Sequence, residues 1–290
     1  RARATGARIV HTCGFDSIPS DLGTWAAQQA FIARFGHPAR KVTALFGEQS
    51  GGFSGGTVAS AIDTMREADA DRGVRAVLAD PYALNPEHGA ARAALPAAPD
   101  ERAPGWDPQL RLFTVPFVMA TVNTRVVRRG HALAGAPWGA DFVYREVMST
   151  PGSLRGAVMA AGIFGGMAAL GFALTRPALR AQVARRAPQP GEGPSAAVRA
   201  RGHWKLRLIA EGGPGEVARY TVSDRADPGY GSTAKMLGEA ALCLALDPLG
   251  SPGGVQTPSV AMAQPLLDRL RRAGLGFAPE DSGESARAAR

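Results

Sequence analysis

A run of nineteen residues without a charged or polar side chain, Gly156–Leu174, constrains this chain more than any other feature. As a helix the run would be about 28 Å long, close to the hydrocarbon thickness of a bilayer. A helix that is apolar on every side must be covered by something other than water. Arginines follow at once, as at the cytoplasmic flank of a membrane segment; they are Arg176, Arg180, Arg185 and Arg186.

Within this run, small residues recur at every fourth position and form a ridge that predicts close packing on another part of the protein. The ridge consists of Ala157, Ala161, Gly165, Ala169 and Ala173. The larger side chains would then be left for apolar contact, namely Val158, Met159, Ile163, Phe164, Phe172 and Leu174. Lipid contact and burial in the core or in a dimer interface both satisfy this pattern. Five glycines disfavour a helix that spans a membrane on its own.

Composition excludes several classes of protein. The 290 residues are 45% hydrophobic and 20% charged, as in globular chains. The net charge is +8, but the arginines are scattered and do not alternate with aromatic residues, so we expect no nucleic-acid partner. Two cysteines cannot form a disulfide scaffold, and the five histidines stand alone in the sequence, so we expect no metal site.

The first predicted strand ends in a loop that is a candidate cofactor site. The strand begins at Arg8 and runs into Cys13, Gly14, Phe15 and Asp16, and a helix over Leu22–Phe35, capped by Ser20 or Asp21, follows. Ligands of open α/β sheets bind where strands end at their carboxyl side. We therefore expect Cys13–Asp16 to contact a ligand, but no G-x-G-x-x-G motif follows any strand, so the residues alone do not identify a cofactor.

The remaining pattern predicts a mixed α/β chain. We expect Pro81–Pro108 and Ala187–Ser195 to be loops, and the polar tail from Pro279 to be disordered. Strands are predicted at Lys41–Phe46, Leu110–Met119, Trp204–Ile209, Gly215–Val222 and Gly253–Thr257. Helices are predicted at about Thr57–Ala79, at Thr121–Leu133, from Ser232 to Leu246, and at Ser259–Ala273.

A glycine loop before one predicted helix carries two alternative chemistries. Ser54 lies in a G-x-S-x-G pattern, which in hydrolases carries the nucleophile. Five residues separate this loop from the expected strand, and His203 is the only histidine after His131, so the pattern disfavours a hydrolase. Alternatively, Ser54, Gly55, Gly56 and Thr57 bind the substrate, because amides at a helix start stabilise an oxyanion. A simple turn also fits.

A second loop enters a helix through Gly231 and Ser232, which are further candidates for substrate binding. Tyr230 and Lys235 beside them are candidate catalytic residues, as an acid and its electrostatic partner. Four residues separate them, whereas short-chain reductases use three to place such a pair on one helix face. A packed tyrosine and a solvated lysine remain the alternative.

Six segments together resemble the saccharopine dehydrogenase-like oxidoreductases, and within them the bacterial trans-acting enoyl reductases. The segments, in chain order, are GFDSIPSDLG (14–23), SGGT (54–57), PFVMATVNTRVVRR (116–129), GEGPS (191–195), DPGYGSTAKMLGEAALCLAL (227–246) and GGVQTP (253–258). The resemblance implies the end of a Rossmann sheet followed by a mixed-sheet substrate domain. It also implies that a preceding glycine-rich Rossmann domain is missing.

On this resemblance we expect four units. Residues 1–36 would end a dinucleotide-binding domain, 37–223 would form a substrate and dimerisation domain, 224–278 would return to the first domain, and 279–290 would be a tail. The implied activity is reduction by NADPH or NADH of a carrier-bound lipid or polyketide double bond, in partnership with a synthase. The resemblance implies that Cys13–Asp16 lies near the nicotinamide, and that a glycine-flanked helix start such as Gly55–Thr57 or Gly231–Thr233 stabilises the negative charge on the thioester oxygen. We expect a cytoplasmic protein, peripheral on the inner membrane face, and a homodimer. A non-catalytic lipid- or membrane-associated protein and a hydrolase using Ser54 remain alternatives.

Overall fold

A computed structural model describes residues 1–50, 55–86, 92, 95–189 and 192–280, and it confirms the mixed α/β class. Its strands are β1 (Arg8–Val10), β2 (Lys41–Ser50), β3 (Gly105–Asp107), β4 (Leu112–Pro116), β5 (Val143–Thr150), β6 (His203–Glu211), β7 (Val217–Asp224), β8 (Gly254–Gln256) and β9 (Gly276–Pro279). Its α-helices are α1 (Ala2–Thr5), α2 (Ile18–Phe35), α3 (Gly55–Ala70), α4 (Arg72–Ala79), α5 (Ala120–Leu133), α6 (Leu154–Thr175), α7 (Pro177–Arg186), α8 (Ala196–Ala200), α9 (Thr233–Leu246) and α10 (Pro258–Arg272).

Seven strands form the main sheet in the order β3-β4-β5-β2-β6-β7-β9. Only the β2–β5 pair is parallel, and every other neighbouring pair is antiparallel. The expected hairpin is confirmed as β6 and β7; β6 is longer than predicted, and β7 is shifted by two residues toward the C-terminus. Because β6 alternates buried and exposed positions over most of its length, one face of the sheet is available to a helix.

Helix α2 covers that face. Ile18, Leu22 and Phe31 are fully buried in the core that includes the sheet residues Leu208 and Val222. A Cβ at Gly23 would lie 3.0 Å from both of those sheet side chains, so the glycine lets the helix approach closely. The expected start at Leu22 is wrong, because Ser17 is the N-cap residue and Pro19 lies in the first turn, where its fixed φ suits a helix.

Two short parallel strands, β1 and β8, form a second sheet apart from the first. Ile9 and Val255 are paired across it and are 43% and 42% exposed. Parallel strands are normally buried on both faces, so this degree of exposure is unusual for such a pair. The pair is tied to the body through Asp21 of α2, whose carboxylate accepts hydrogen bonds from the backbone N–H and the hydroxyl of Ser259 at the start of α10.

Several predicted boundaries are wrong for physical reasons. The strand expected over Lys41–Phe46 continues to Ser50, because a bulge at Gly47 lets the pairing with β6 resume. The single helix expected over 57–79 breaks at Asp71, whose side chain caps the second helix by accepting from the N–H of Gly73. Strand β3 lies inside the expected Pro81–Pro108 loop, and the expected strand Leu110–Met119 shortens to β4.

The C-terminal region also differs from expectation. Pro279 ends β9, which pairs with β7, and Glu280 forms ion pairs with Lys205 and Arg207. The expected tail therefore does not begin at Pro279, and residues 281–290 lie outside the described residues.

The main hydrophobic core of the described residues contains side chains from Cys13 to Phe277. The boundaries of the four expected units stay a prediction.

The apolar run forms α6, but the predicted packing of its small residues is wrong. Ala161, Gly165 and Ala169 are exposed, whereas Ile163 and Phe164 are partly buried. A Cβ placed on Gly162, Gly165, Gly166 or Gly171 would meet nothing within 4 Å. The helix instead docks through its first turns, at Gly156 and Ala160.

Candidate functional site

Two of the predicted site loops meet in the structure. The backbone N–H of Phe15 donates to Oγ1 of Thr233, the first residue of α9, at 3.1 Å. A Cβ at Gly14 would lie 2.9 Å from the methyl group of the same threonine, so only glycine fits there. The Cys13–Asp16 loop therefore lies directly against the loop that contains Gly231 and Ser232.

An aromatic cluster surrounds this junction. The ring of Phe15 lies edge-on to Trp204, with 4.9 Å between ring centroids, and edge-on to Phe46 at 6.1 Å. Phe46 in turn stacks on Phe117 at 4.2 Å. Phe15 is the partly exposed member of the cluster, while the others are buried. The junction therefore has an apolar wall that suits an apolar or aromatic part of a ligand.

The third predicted loop leaves the sheet at the same end. The last residue of β2, Ser50, pairs with His203, next to the Trp204 of the aromatic cluster. Helix α3 begins five residues later at Gly55, and Gly56 and Thr57 in its first turn are exposed. Ser54 lies outside the described residues. Because β2 reaches Ser50, the expected five-residue gap between the strand and the G-x-S-x-G pattern shortens to Gly51, which lies outside the described residues.

The amides expected to bind an oxyanion at the start of α9 are already bonded. The carboxylate of Asp227 accepts from the N–H groups of Tyr230 and Gly231, at 2.9 and 3.0 Å. Ser232 does not cap α9 as predicted, because its hydroxyl donates to the buried carboxylate of Asp224 at 2.7 Å and accepts from Trp204 Nε1 at 2.7 Å. These bonds hold the turn before α9 in place, and they occupy the groups that were predicted to bind the substrate.

The two predicted catalytic side chains have separate hydrogen-bond partners. The hydroxyl of Tyr230 donates to the carbonyl of Glu192 at 3.1 Å, and the guanidinium of Arg199 lies 5.6 Å from the centre of its ring. The ammonium of Lys235 lies 2.7 Å from the buried carboxylate of Asp224. Lys235 is thus held in place beside Ser232, and its predicted role with Tyr230 stays a prediction.

The sequence analysis did not predict a chain of buried polar side chains that lies next to the Cys13–Asp16 loop. The Ser17 hydroxyl donates to Asn123 Oδ1 at 3.0 Å, Asn123 Nδ2 donates to Glu146 Oε1 at 2.6 Å, and the hydroxyl of Tyr144 donates to Glu146 Oε2 at 2.6 Å. Glu146 lies in β5, which the alternation of apolar and polar residues did not predict because a carboxylate occupies a buried position of the strand. The available signal was that β-branched and aromatic residues, which are typical of a strand, lie around this glutamate.

Burial sets the protonation of these groups. It raises the pKa of Glu146 to about 7, with partial opposition from the hydrogen bonds of Tyr144 and Asn123. Burial likewise raises the pKa of Asp21 to about 6 against its bonds from Ser259. The pKa of Cys13 rises to about 12 through burial and the nearby Asp16 and Asp21 carboxylates, so this cysteine is a thiol and not a nucleophile.

Glu146 should make the stability of the protein depend on pH. Its folded pKa is above the unfolded value of 4.5, so its contribution is complete below pH 4.5 and is lost as pH rises through 7. We expect the free energy of unfolding of the wild type to fall by on the order of 3 kcal/mol between these two pH values because of this group. Urea denaturation at a series of pH values should show that Glu146→Gln lacks this decrease. Parallel plots of unfolding free energy against pH for the two proteins would contradict the expectation.

Other regions offer less. Among the described residues, no group of three or more His, Cys, Asp or Glu side chains could hold a metal ion. An open cleft of about 530 Å³ lies at the opposite end of β6 and β7, beside Gly212 and Glu216, and it contains none of the predicted site residues. The junction of Phe15 and Thr233 therefore remains the candidate site.

Comparison with known proteins assigns the chain to a family. No protein-family model matches it. It is 39% identical over 287 residues to a Mycobacterium tuberculosis protein named "putative trans-acting enoyl reductase", covering 96% of this chain and 68% of that protein. The chain belongs to the trans-acting enoyl reductase family. Trans-acting enoyl reductases of Mycobacterium bovis and Mycobacterium ulcerans are 38% and 37% identical, each over 95% of this chain and 68% of the relative.

This membership confirms the resemblance to trans-acting enoyl reductases and supports an enoyl reductase role, hence an oxidoreductase. The matches extend over nearly the whole chain, so they include both loops that meet at Phe15 and Thr233. The alternative of a serine hydrolase finds no support among these relatives.

Proposed function

We propose that this chain forms the substrate side of an NAD(P)H-dependent enoyl reductase that reduces a double bond in a carrier-bound lipid or polyketide chain. The contact between Phe15 and Thr233 carries the proposal, because it joins the loops predicted for cofactor and substrate in a member of this family. The synthase that makes the chain would be its partner. The partly exposed Phe15 ring would contact the reacting acyl group.

The two loops that meet at Phe15 and Thr233 do not fit the phosphates of a dinucleotide. Binding of a pyrophosphate needs several free backbone amides. The N–H of Gly14 donates to Asp16, that of Phe15 to Thr233, and those of Ser17 and Ile18 to the carbonyl of Gly14. The amides before α9 are bonded to Asp227. We therefore derive no hydride step from these residues, and we expect the 290-residue chain alone to bind NADPH only weakly.

The chain does supply groups for the proton that this reduction consumes. Addition of hydrogen across a double bond conjugated to a thioester needs one hydride and one proton. We assign the proton to the hydroxyl of Tyr230, which is partly exposed in the loop before α9 and, among the described residues, donates to the carbonyl of Glu192. Lys235 supplies positive charge for the thioester oxygen as its negative charge develops, and Asp224 positions it.

The test uses the complete gene product that carries this chain. It is incubated with NADPH or NADH and a 2-enoyl thioester of pantetheine, and the loss of reduced nicotinamide and the mass of the product are followed. We expect a saturated thioester in amounts that match the cofactor consumed. Cofactor loss without a saturated product, or no turnover with either cofactor and a carrier-bound substrate, would contradict the proposed function.

Ser54 should be dispensable for this reaction. The sequence predicts for Ser54 a contribution limited to substrate binding, so Ser54→Ala should change the turnover number less than about threefold. Steady-state kinetics of the reductase test this expectation. Covalent labelling of Ser54 by a fluorophosphonate, with loss of turnover in the variant, would instead restore the hydrolase alternative.

A further inference from the structure

Helices α6 and α7 form a hairpin with an unusually exposed apolar surface. The described residues contain one helix long and apolar enough to cross a membrane by length and composition, α6, and only 6% of its most apolar window is buried. Val158, Leu170 and Phe172 are 65%, 49% and 56% exposed. Monomeric proteins in water rarely expose contiguous apolar patches of this kind, which mark interaction surfaces.

All charged side chains of the hairpin are positive. No aspartate or glutamate occurs between Glu146 and Glu192, whereas five arginines lie in residues 151–190. Four of them are exposed, at both ends of α6 and at the end of α7; these are Arg155, Arg176, Arg185 and Arg186. Arg176 also lies over the exposed ring of Phe172, at 5.2 Å from its centre. Exposed cations therefore flank the apolar surface, as required at an anionic lipid surface.

The path of the chain shows how the hairpin is oriented. Gly156 docks the start of α6 on β4 and β5, where its carbonyl accepts from the hydroxyl of Thr150. After α6, the single residue Arg176 leads into α7, which returns to the body, where Arg180 forms an ion pair with Asp69 of α3 at 2.8 Å. The start of α6 and the first turn of α7 are thus anchored on one body, so α6 lies along the surface of the protein and does not project from it as a spanning helix would.

We propose that the hairpin binds the surface of an anionic bilayer, with α6 lying among the upper acyl chains and the exposed arginines contacting headgroups. An open groove of about 340 Å³ where the two helices meet has room for part of an acyl chain; it is lined by Ala173, Leu179, Gln182, Val183, Arg186 and Ala187. The proposal rests on the hairpin alone and does not depend on the proposed function. It assigns the protein to the membrane surface where a lipid chain would be handled.

The experiment is co-sedimentation with phosphatidylcholine vesicles, with and without phosphatidylglycerol. We expect wild type to pellet with the anionic vesicles and to be released as salt rises. Leu170→Asp with Phe172→Asp should remain in the supernatant, because both side chains are exposed and their loss leaves the core intact. Val77→Asp with Leu78→Asp, an equally exposed apolar pair on α4, is the matched control and should pellet like wild type.

A second variant tests the charges. Arg185→Ala with Arg186→Ala should lower the partition coefficient on anionic vesicles by about fivefold per arginine, which corresponds to about 1 kcal/mol each. Circular dichroism confirms that each variant is folded. If folded wild type stays in the supernatant with both vesicle types, the proposal is wrong. A concentration-dependent dimer that Leu170→Asp with Phe172→Asp abolishes, without any vesicle binding, would identify the face as an interface between copies.

Discussion

Replacing Tyr230 by Phe should lower the turnover number of enoyl reduction about a hundredfold, the usual loss when a general acid is removed. The variant keeps the ring, which packs on Gly193, where a Cβ would lie 2.6 Å from ring carbon Cε2, and which lies under Arg199. Only the hydroxyl and its bond to the carbonyl of Glu192 are lost. KM should change little, and steady-state kinetics of the complete gene product measure both constants.

The matched control is Tyr82→Phe. That hydroxyl also donates to one carbonyl, of Pro96 at 2.9 Å, and its ring also lies near a guanidinium, that of Arg128. It belongs to none of the three loops at the candidate site, so its removal should leave the turnover number unchanged. Equal turnover numbers for Tyr230→Phe and wild type would exclude Tyr230 as the proton donor and leave the supply of the proton to another group.

Gly156→Ala should destabilise the protein by more than about 4 kcal/mol or detach α6 from the sheet. A Cβ at this position would lie 1.7 Å from the carbonyl oxygen of Pro151 and 2.6 Å from its carbon, and backbone cannot yield as a side chain does. The shift needed would also break the bond from Thr150 to the carbonyl of Gly156. Urea denaturation measures the loss, and limited proteolysis detects detachment of the helix.

Gly162→Ala is the control within the same helix. Its Cβ would meet nothing within 4 Å, so the higher helix propensity of alanine should add up to about 1 kcal/mol. The two substitutions are chemically identical and differ only in what the new methyl group contacts. Similar stabilities for both variants would mean that α6 does not dock on β4 and β5 through Gly156.

Local patterns predicted much of the fold. The alternation in β6 and β7, the amphipathic pattern of α10, and the glycine loops before α2 and α9 all depend on neighbouring residues, so a single sequence reveals them. The pattern failed at β5, where Glu146 occupies a buried position. It also failed at Asp71 and Gly47, where a cap and a bulge change an element that is otherwise continuous.

The candidate residues for chemistry can be identified from the sequence alone, because glycines before helices, a tyrosine and a lysine are visible without any structure. Which of their groups remain available depends on the fold, because distant segments bond to them. Asp227 occupies the amides expected for an oxyanion, and Asp224 holds Lys235. Hydrogen bonds between distant segments satisfy buried polar groups. The orientation of α6 was likewise decided by a contact between separate parts of the chain. The helix docks where Gly156 meets Pro151, which the periodicity of its small residues does not encode, and Ala161, Gly165 and Ala169 are therefore exposed.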